Sequence, residues 1–190
     1  FGQNFLVDLN LMRKLVTAAA PGPGDVVLEV GPGTGSLTEL LLDSGATVVA
    51  AEVDRGLAAL LRGHFADAPR FTLVEGDALA AKHAISPAIL AALATAGPAD
   101  APRKLIANLP YQIASQLLFH FIDARAHLTR AVVMLQREMA ERLMAPPDTS
   151  DYGALGVLIG AFADVSLVVR AKASAFVPPP KVDSAVVSIR

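Results

Sequence analysis

The chain has 190 residues, 53% of them hydrophobic, and a formal net charge of −2, which suits one α/β domain with a sizeable core. It has no cysteine, which excludes disulfides and cysteine-ligated zinc. Its longest charge-free stretch, Leu105 to Ile122, contains Asn108, Pro110, Gln112, Ser115, Gln116 and His120, a composition that excludes a membrane span.

An amphipathic segment, Leu9–Ala19, comes first and is expected to be a helix. Seven short β-type runs follow: Val26–Val30, Thr47–Val53, Phe71–Asp77, Lys104–Leu109, Thr129–Gln136, Val165–Ala171 and Ser184–Ile189. Most are continuous apolar runs, as expected of strands buried on both faces of a parallel sheet. Helical stretches lie between them at Ser36–Ser44, Arg55–Phe65, Pro87–Ala96, Ile113–Ala124, Arg137–Met144 and Ala154–Ala163. Alternating strand and helix predicts a doubly wound α/β sheet of seven mostly parallel strands. Only the loop Ser174–Asp183 separates the last two strands, so the last strand should be antiparallel. The Ala/Pro-rich stretch Ala78–Pro102 reads as a variable excursion before the fourth strand.

Charge is uneven along the chain. Residues 1–100 carry 6 Lys/Arg and 11 Asp/Glu, whereas residues 101–190 carry 10 and 7. The asymmetry is compatible with a cofactor half and a nucleic-acid-facing half, and equally with scattered surface charge. No signal peptide is visible, and a cytoplasmic monomer without a membrane partner is expected. The chain begins at Phe1 and stops inside an apparent strand at Arg190, and is read as a piece of a longer protein.

The first strand runs into Gly31-Pro32-Gly33-Thr34-Gly35, and a helix begins at Ser36. Glycines let backbone turn sharply beside a ligand, and a helix N-terminus offers unpaired N–H groups. The third glycine of the dinucleotide pattern G-x-G-x-x-G would fall on Ser36. That weakens an NAD reading and favours the related loop of class I methyltransferases, whose ligand is S-adenosylmethionine. Gly31, Gly33 and Gly35 are therefore candidate cofactor contacts. Glu52, with Val53 beside it, ends the second strand, where a carboxylate can accept both ribose hydroxyls. Asp54 is better placed to cap the next helix. Asp77 ends the third strand, where it can accept an adenine amino group while Ala78 donates a backbone N–H.

The fourth strand ends in Asn108-Leu109-Pro110-Tyr111. An exocyclic amine on a base is a poor nucleophile because its lone pair is delocalised into the ring. Two oxygens that accept its N–H bonds can aim that lone pair at a methyl group. The Asn108 side-chain oxygen and the Leu109 carbonyl are suited to this, Pro110 fixes the turn, and Tyr111 can stack on the base. An Asn-x-Pro turn also ends strands that carry no site. Phe176, in Phe176-Val177-Pro178-Pro179-Pro180-Lys181-Val182-Asp183-Ser184, is a candidate second face for the base, with a core phenylalanine under the loop as the lesser alternative.

Taken together, these segments resemble the small-subunit ribosomal RNA adenine N6,N6-dimethyltransferases, or dimethyladenosine transferases. The matching runs also include Phe1-Gly2-Gln3-Asn4-Phe5-Leu6, Leu135-Gln136-Arg137-Glu138-Met139-Ala140-Glu141-Arg142 and Asp151-Tyr152-Gly153, in family order over nearly the whole chain. The resemblance implies a class I S-adenosylmethionine-dependent methyltransferase fold of the Rossmann-like kind. It implies that Gln3, Asn4 and Leu6 close over the cofactor, that Asn108 and Leu109 receive the target amine, and that Tyr111 and Phe176 flank the base. It implies two adjacent adenines near the 3′ end of small-subunit rRNA as substrate, each methylated twice, in an immature small ribosomal subunit. The family also carries a smaller helical C-terminal domain, expected to be absent from this piece. Two other readings stay open: a macrolide-resistance type large-subunit rRNA methylase, and a non-catalytic ribosome-assembly factor.

Overall fold

The computed structural model describes residues 4–81, 84–123 and 128–190. Seven strands form one sheet: β1 (Val26–Val30), β2 (Thr47–Glu52), β3 (Phe71–Glu75), β4 (Arg103–Asn108), β5 (Leu128–Gln136), β6 (Val165–Ala171) and β7 (Ser184–Ile189). Their spatial order is β3-β2-β1-β4-β5-β7-β6. The pairs β1–β2, β2–β3, β1–β4 and β4–β5 are parallel. β7 runs antiparallel to both β5 and β6, so the antiparallel last strand lies between two neighbours rather than at the rim.

Alternation along the strands divides the core into two layers. Val26, Leu28, Val30, Leu105, Ala107, Val133 and Leu135 pack on one face with Ile89, Leu93, Leu117 and Ile159. Val27, Val48, Ile106, Val132 and Met134 pack on the other with Leu11, Leu15, Leu37 and Leu41. Strands buried on both faces need helices on both, and the described residues supply seven: α1 (Leu9–Ala19), α2 (Ser36–Asp43), α3 (Arg55–His64), α4 (Pro87–Thr95), α5 (Ala114–Asp123), α6 (Arg137–Leu143) and α7 (Ala154–Gly160).

Burial sets the position of α1. Its Leu11, Met12 and Leu15 are buried, each contributing roughly 1.5–3 kcal/mol. The Asp8 cap, whose carboxylate accepts the Leu11 N–H at 3.1 Å, contributes about 1 kcal/mol. At the other end Ala20 turns left-handed with φ 45°. Lys104 of β4 donates to the Ala20 carbonyl and to Asp25 Oδ2, both at 2.7 Å, and Arg130 of β5 donates to the Ala18 carbonyl at 3.0 Å. Two cations from the sheet thus meet the negative end of the helix dipole.

Differences from the expected elements lie mostly at ends. Phe71–Asp77 stops at Glu75, because Gly76 adopts φ 139° and turns the chain out of the sheet. Ala154–Ala163 stops at Gly160, beyond which the Phe162 and Ala163 N–H groups share the Ile159 carbonyl. The Ala78–Pro102 excursion is anchored: Leu79–Ala81 pairs with Ala84–Ile85, and Ile89 and Leu93 of α4 enter the core. A ribbon absent from the expected elements joins Phe5–Leu6 antiparallel to Phe176–Val177.

Lys104→Ala should leave Asp25 and the Ala20 carbonyl without their shared cation, with both Lys104 and Asp25 side chains mostly buried. We expect a loss of about 2 kcal/mol in urea unfolding, and an unchanged midpoint would contradict the role given to this pair.

Candidate active site

At the carboxyl edge of the sheet the neighbouring strands β1 and β4 end side by side. A cavity of about 510 Å³ opens there, lined by the glycine loop, the ends of β2 and β3, the Asn108–Tyr111 segment and the N-terminal residues Asn4, Phe5 and Leu6. Such a crevice beyond the strand ends is the usual ligand position in a doubly wound sheet, and the volume suits a nucleotide-sized molecule.

The loop curls because its glycines accept left-handed backbone. Gly31, Gly33 and Gly35 have φ of 71°, 60° and 91°. A Cβ on Gly35 would meet the Phe65 ring at 2.8 Å, and one on Gly33 would meet the Phe5 ring at 3.1 Å. Any side chain at Gly35 would therefore push the loop away from α3, and one at Gly33 would collide with the aromatic wall of the cavity.

Glu52 is 3% exposed, and its carboxylate joins two elements. Oε2 accepts the Gly33 N–H at 3.2 Å, and Oε1 accepts the Asp54 N–H at 2.9 Å. Asp54 turns away to cap α3, accepting from Gly56 at 2.8 Å and Leu57 at 3.0 Å, as its position in the sequence implied. Val53, Gly76, Asp77 and Ala78 also line the cavity. Asp77 is exposed and accepts the Leu79 N–H at 3.0 Å.

Asn108 is the last residue of β4. Its Nδ2 donates to the Asn4 carbonyl at 3.5 Å, a long contact that leaves Oδ1 as the acceptor end of the amide. The Leu109 N–H bonds to the Met134 carbonyl at 3.3 Å, so the turn stays tied to β5. Pro110 borders the loop: a Cβ on Gly31 would lie 3.4 Å from its ring. Tyr111 is half-buried, and its hydroxyl lies 2.6 Å from Ser184 Oγ. Burial pushes the phenol pKa upward, partly offset by Ser184.

Of the residues expected at the site, Asn4, Leu6, Gly31, Gly33, Glu52, Val53, Asp77, Ala78, Asn108, Leu109, Pro110 and Tyr111 meet at this cavity. Gly35 stands one step behind as the N-cap of α2. Gln3 lies outside the described residues. Phe176 is placed otherwise: it is 2% exposed, opposite Leu6 in the ribbon, within the core layer that holds Met12 and Leu15. Its ring is a core ring here rather than an open face, because ribbon pairing turns it inward.

Glu29 lines the cavity and was not among the expected site residues. It is almost fully buried in β1 and accepts the Thr38 hydroxyl at 2.6 Å. Burial raises its pKa to about 8; the Thr38 bond lowers it, and the nearby Glu52 charge raises it further. A carboxylate inside an otherwise apolar strand was the available signal. Phe5 and Met12 also line the cavity, and nothing local in the sequence marked them. Among the described residues no cluster of acidic, His or Cys side chains could hold a metal ion. None of the described helices is long and apolar enough to cross a membrane.

Residues 1–190 match the family profile Ribosomal RNA adenine dimethylase. The chain is 48% identical over 186 residues to Ribosomal RNA small subunit methyltransferase A of Anaeromyxobacter dehalogenans (strain 2CP-C), covering 98% of this chain and 64% of that protein. It thus spans less than two thirds of the length of such relatives. A dimethyladenosine transferase from Plasmodium falciparum superposes with a TM-score of 0.82 at 31% identity, covering 97% of this chain and 62% of that one. The 23S rRNA methyltransferase ErmE superposes with a TM-score of 0.77 at 29% identity, covering 98% and 69%.

A raised carboxyl pKa gives a signed prediction. Glu29 keeps its proton in the folded state up to about pH 8, whereas the unfolded chain loses it near 4.5. Its contribution to stability is present below the lower value and is lost as pH rises through the higher one. Stability should therefore fall between those limits, and Glu29→Gln should flatten that slope. Identical urea midpoint shifts from pH 5 to pH 8 in both proteins would refute the assignment.

Proposed function

The chain belongs to the ribosomal RNA adenine dimethylase family, and from that premise we propose that it is the catalytic part of an enzyme that methylates adenine N6 in small-subunit rRNA. The substrate in this reading is two adjacent adenines near the 3′ end, each methylated twice. The single observation that carries the reading is that the glycine loop, Glu52 and the Asn108–Tyr111 turn line one cavity.

The proposed cofactor is S-adenosylmethionine, which when bound supplies an electrophilic methyl group on a sulfonium. The residues present fit it. The loop glycines leave room for backbone to approach a ligand at Gly33, where a Cβ would crowd Phe5. Glu52, held by two backbone N–H groups, has further lone pairs for ribose hydroxyls. Asp77 and Ala78, side by side at the cavity wall, offer an acceptor and a donor to an adenine edge.

On the substrate side, Asn108 Oδ1 and the Leu109 carbonyl accept the two N–H bonds of the target amine. That localises the nitrogen lone pair and aims it at the methyl carbon. A bound S-adenosylmethionine would supply its methyl group to that nitrogen and keep the S–C bonding electrons on sulfur, and the amine would give up one proton. The accepting dipoles are in place beforehand, so little reorganisation is needed. Tyr111 would stack on the base, and Asn4, Phe5 and Leu6, which line the same cavity, would help to hold the cofactor. A second face from Phe176 requires the Phe5–Leu6 and Phe176–Val177 ribbon to shift, since its ring is buried.

The reading of a large-subunit methylase draws on the ErmE likeness, at lower identity than the small-subunit relative. Tritiated methyl transfer to unmethylated small subunits tests the choice. Incorporation there supports the proposal, and exclusive use of naked 23S-type RNA reverses it. Binding of RNA without binding of the cofactor would favour an assembly factor.

Two substitutions should separate the roles. Asn108→Ala should lower kcat on the order of 10²-fold while changing cofactor Kd little, because the amide acts mainly on the transition state. Glu52→Ala should weaken cofactor binding measured by calorimetry. An unchanged rate in the first, or an unchanged Kd in the second, would remove the role assigned to that residue.

A further inference from the structure

The Tyr111 side chain is held at both ends. Its backbone sits in the turn closed by the Ile113 N–H on the Pro110 carbonyl at 3.1 Å, and its hydroxyl meets Ser184 Oγ at 2.6 Å. Ser184 is fully buried as the first residue of β7, opposite Gln136 on β5 and Ala171 on β6. The preceding residue is tied as well: the Asp183 carbonyl accepts the Arg137 N–H at 3.0 Å, and its carboxylate accepts the Ala173 N–H at 3.2 Å. Ser184 is therefore a fixed point of the sheet, and it does not itself line the cavity.

A tyrosine without such a bond rotates about two side-chain torsions, and ordering it on a base costs binding free energy. With the hydroxyl anchored, the ring plane is set before the base arrives. Resting on the reading that Tyr111 stacks on the target adenine, we propose that Ser184 is a positioning residue, which through the Tyr111 hydroxyl holds the ring face towards the base. It touches neither cofactor nor substrate and acts only through Tyr111. A buried serine hydroxyl deprived of this partner cannot turn to solvent, so the two side chains should behave as one unit.

The test compares wild type, Ser184→Ala, Tyr111→Phe and the double variant in the intact protein, at a temperature where circular dichroism shows each to be folded. S-adenosylmethionine and unmethylated small subunits are the substrates. Stacking is read separately from the fluorescence quenching of 2-aminopurine placed at the target position of an RNA fragment. Either single change should lower kcat/KM roughly tenfold, the scale of one hydrogen bond, and reduce the quenching. Cofactor Kd should stay within about twofold in Ser184→Ala, and the double variant should be no worse than the poorer single one. Wild-type kcat/KM and quenching in Ser184→Ala, or additive losses in the double variant, would overturn the proposal. A wild-type protein that binds cofactor yet leaves small subunits unmethylated would instead overturn the functional reading, and this inference with it.

Discussion

Glu52 is the point on which the carboxyl edge of the sheet depends. One carboxylate oxygen takes the Gly33 N–H from the loop after β1, and the other takes the Asp54 N–H at the start of α3. The bonds span two strands that are already paired in parallel register. The loop can hold three left-handed glycines in one curl because a buried anion fixes its middle. The same curl brings Gly31 against the Pro110 ring, which joins the glycine loop to the turn after β4. Neighbouring carboxylates at Glu29 and Glu52 would repel in so buried a place. Burial raises the Glu29 pKa to about 8, the Thr38 bond offsets part of that and Glu52 adds to it, so Glu29 keeps its proton near neutrality.

A second set of constraints comes from the two ends of the chain. Phe5–Leu6 pairs with Phe176–Val177, and the Val7 N–H bonds to the Ala175 carbonyl at 2.9 Å. Phe5 and Leu6 of this ribbon line the cavity together with Met12 of α1, a helix whose own position is set by Leu11, Met12 and Leu15 and by Lys104 and Arg130 at its C-terminus. Met12 belongs to the core and to the cavity wall at once. Packing of α1 and the shape of the site are thus coupled through one side chain.

Much of this was legible in the amino-acid sequence, for identifiable reasons. The bounds of β1, β6 and β7 coincide with the apolar runs Val26–Val30, Val165–Ala171 and Ser184–Ile189. The short link before β7 fixed its direction. Its place between β5 and β6 was not legible, because that depends on which neighbours offer open backbone. Glu52 and the Asn108–Tyr111 turn could be read because each sits where an apolar run stops. The ribbon could not, since it pairs residues from opposite ends of the chain and neither half has a strand-like length. The burial of Phe176 was hidden for the same reason: its neighbours Val177 to Pro180 suggest an exposed loop, while its partner Leu6 buries it. Glu29 carried a visible signal, a lone carboxylate inside a strand, that pointed to the site.

The account stands or falls on whether one molecule spans the loop and the turn. A crystal structure of the protein with S-adenosylhomocysteine tests this most directly. The account predicts ribose hydroxyls on Glu52, the adenine edge at Asp77 and Ala78, and the sulfur facing Asn108. A ligand bound elsewhere, or one in this cavity with its sulfur turned away from Asn108, would contradict it.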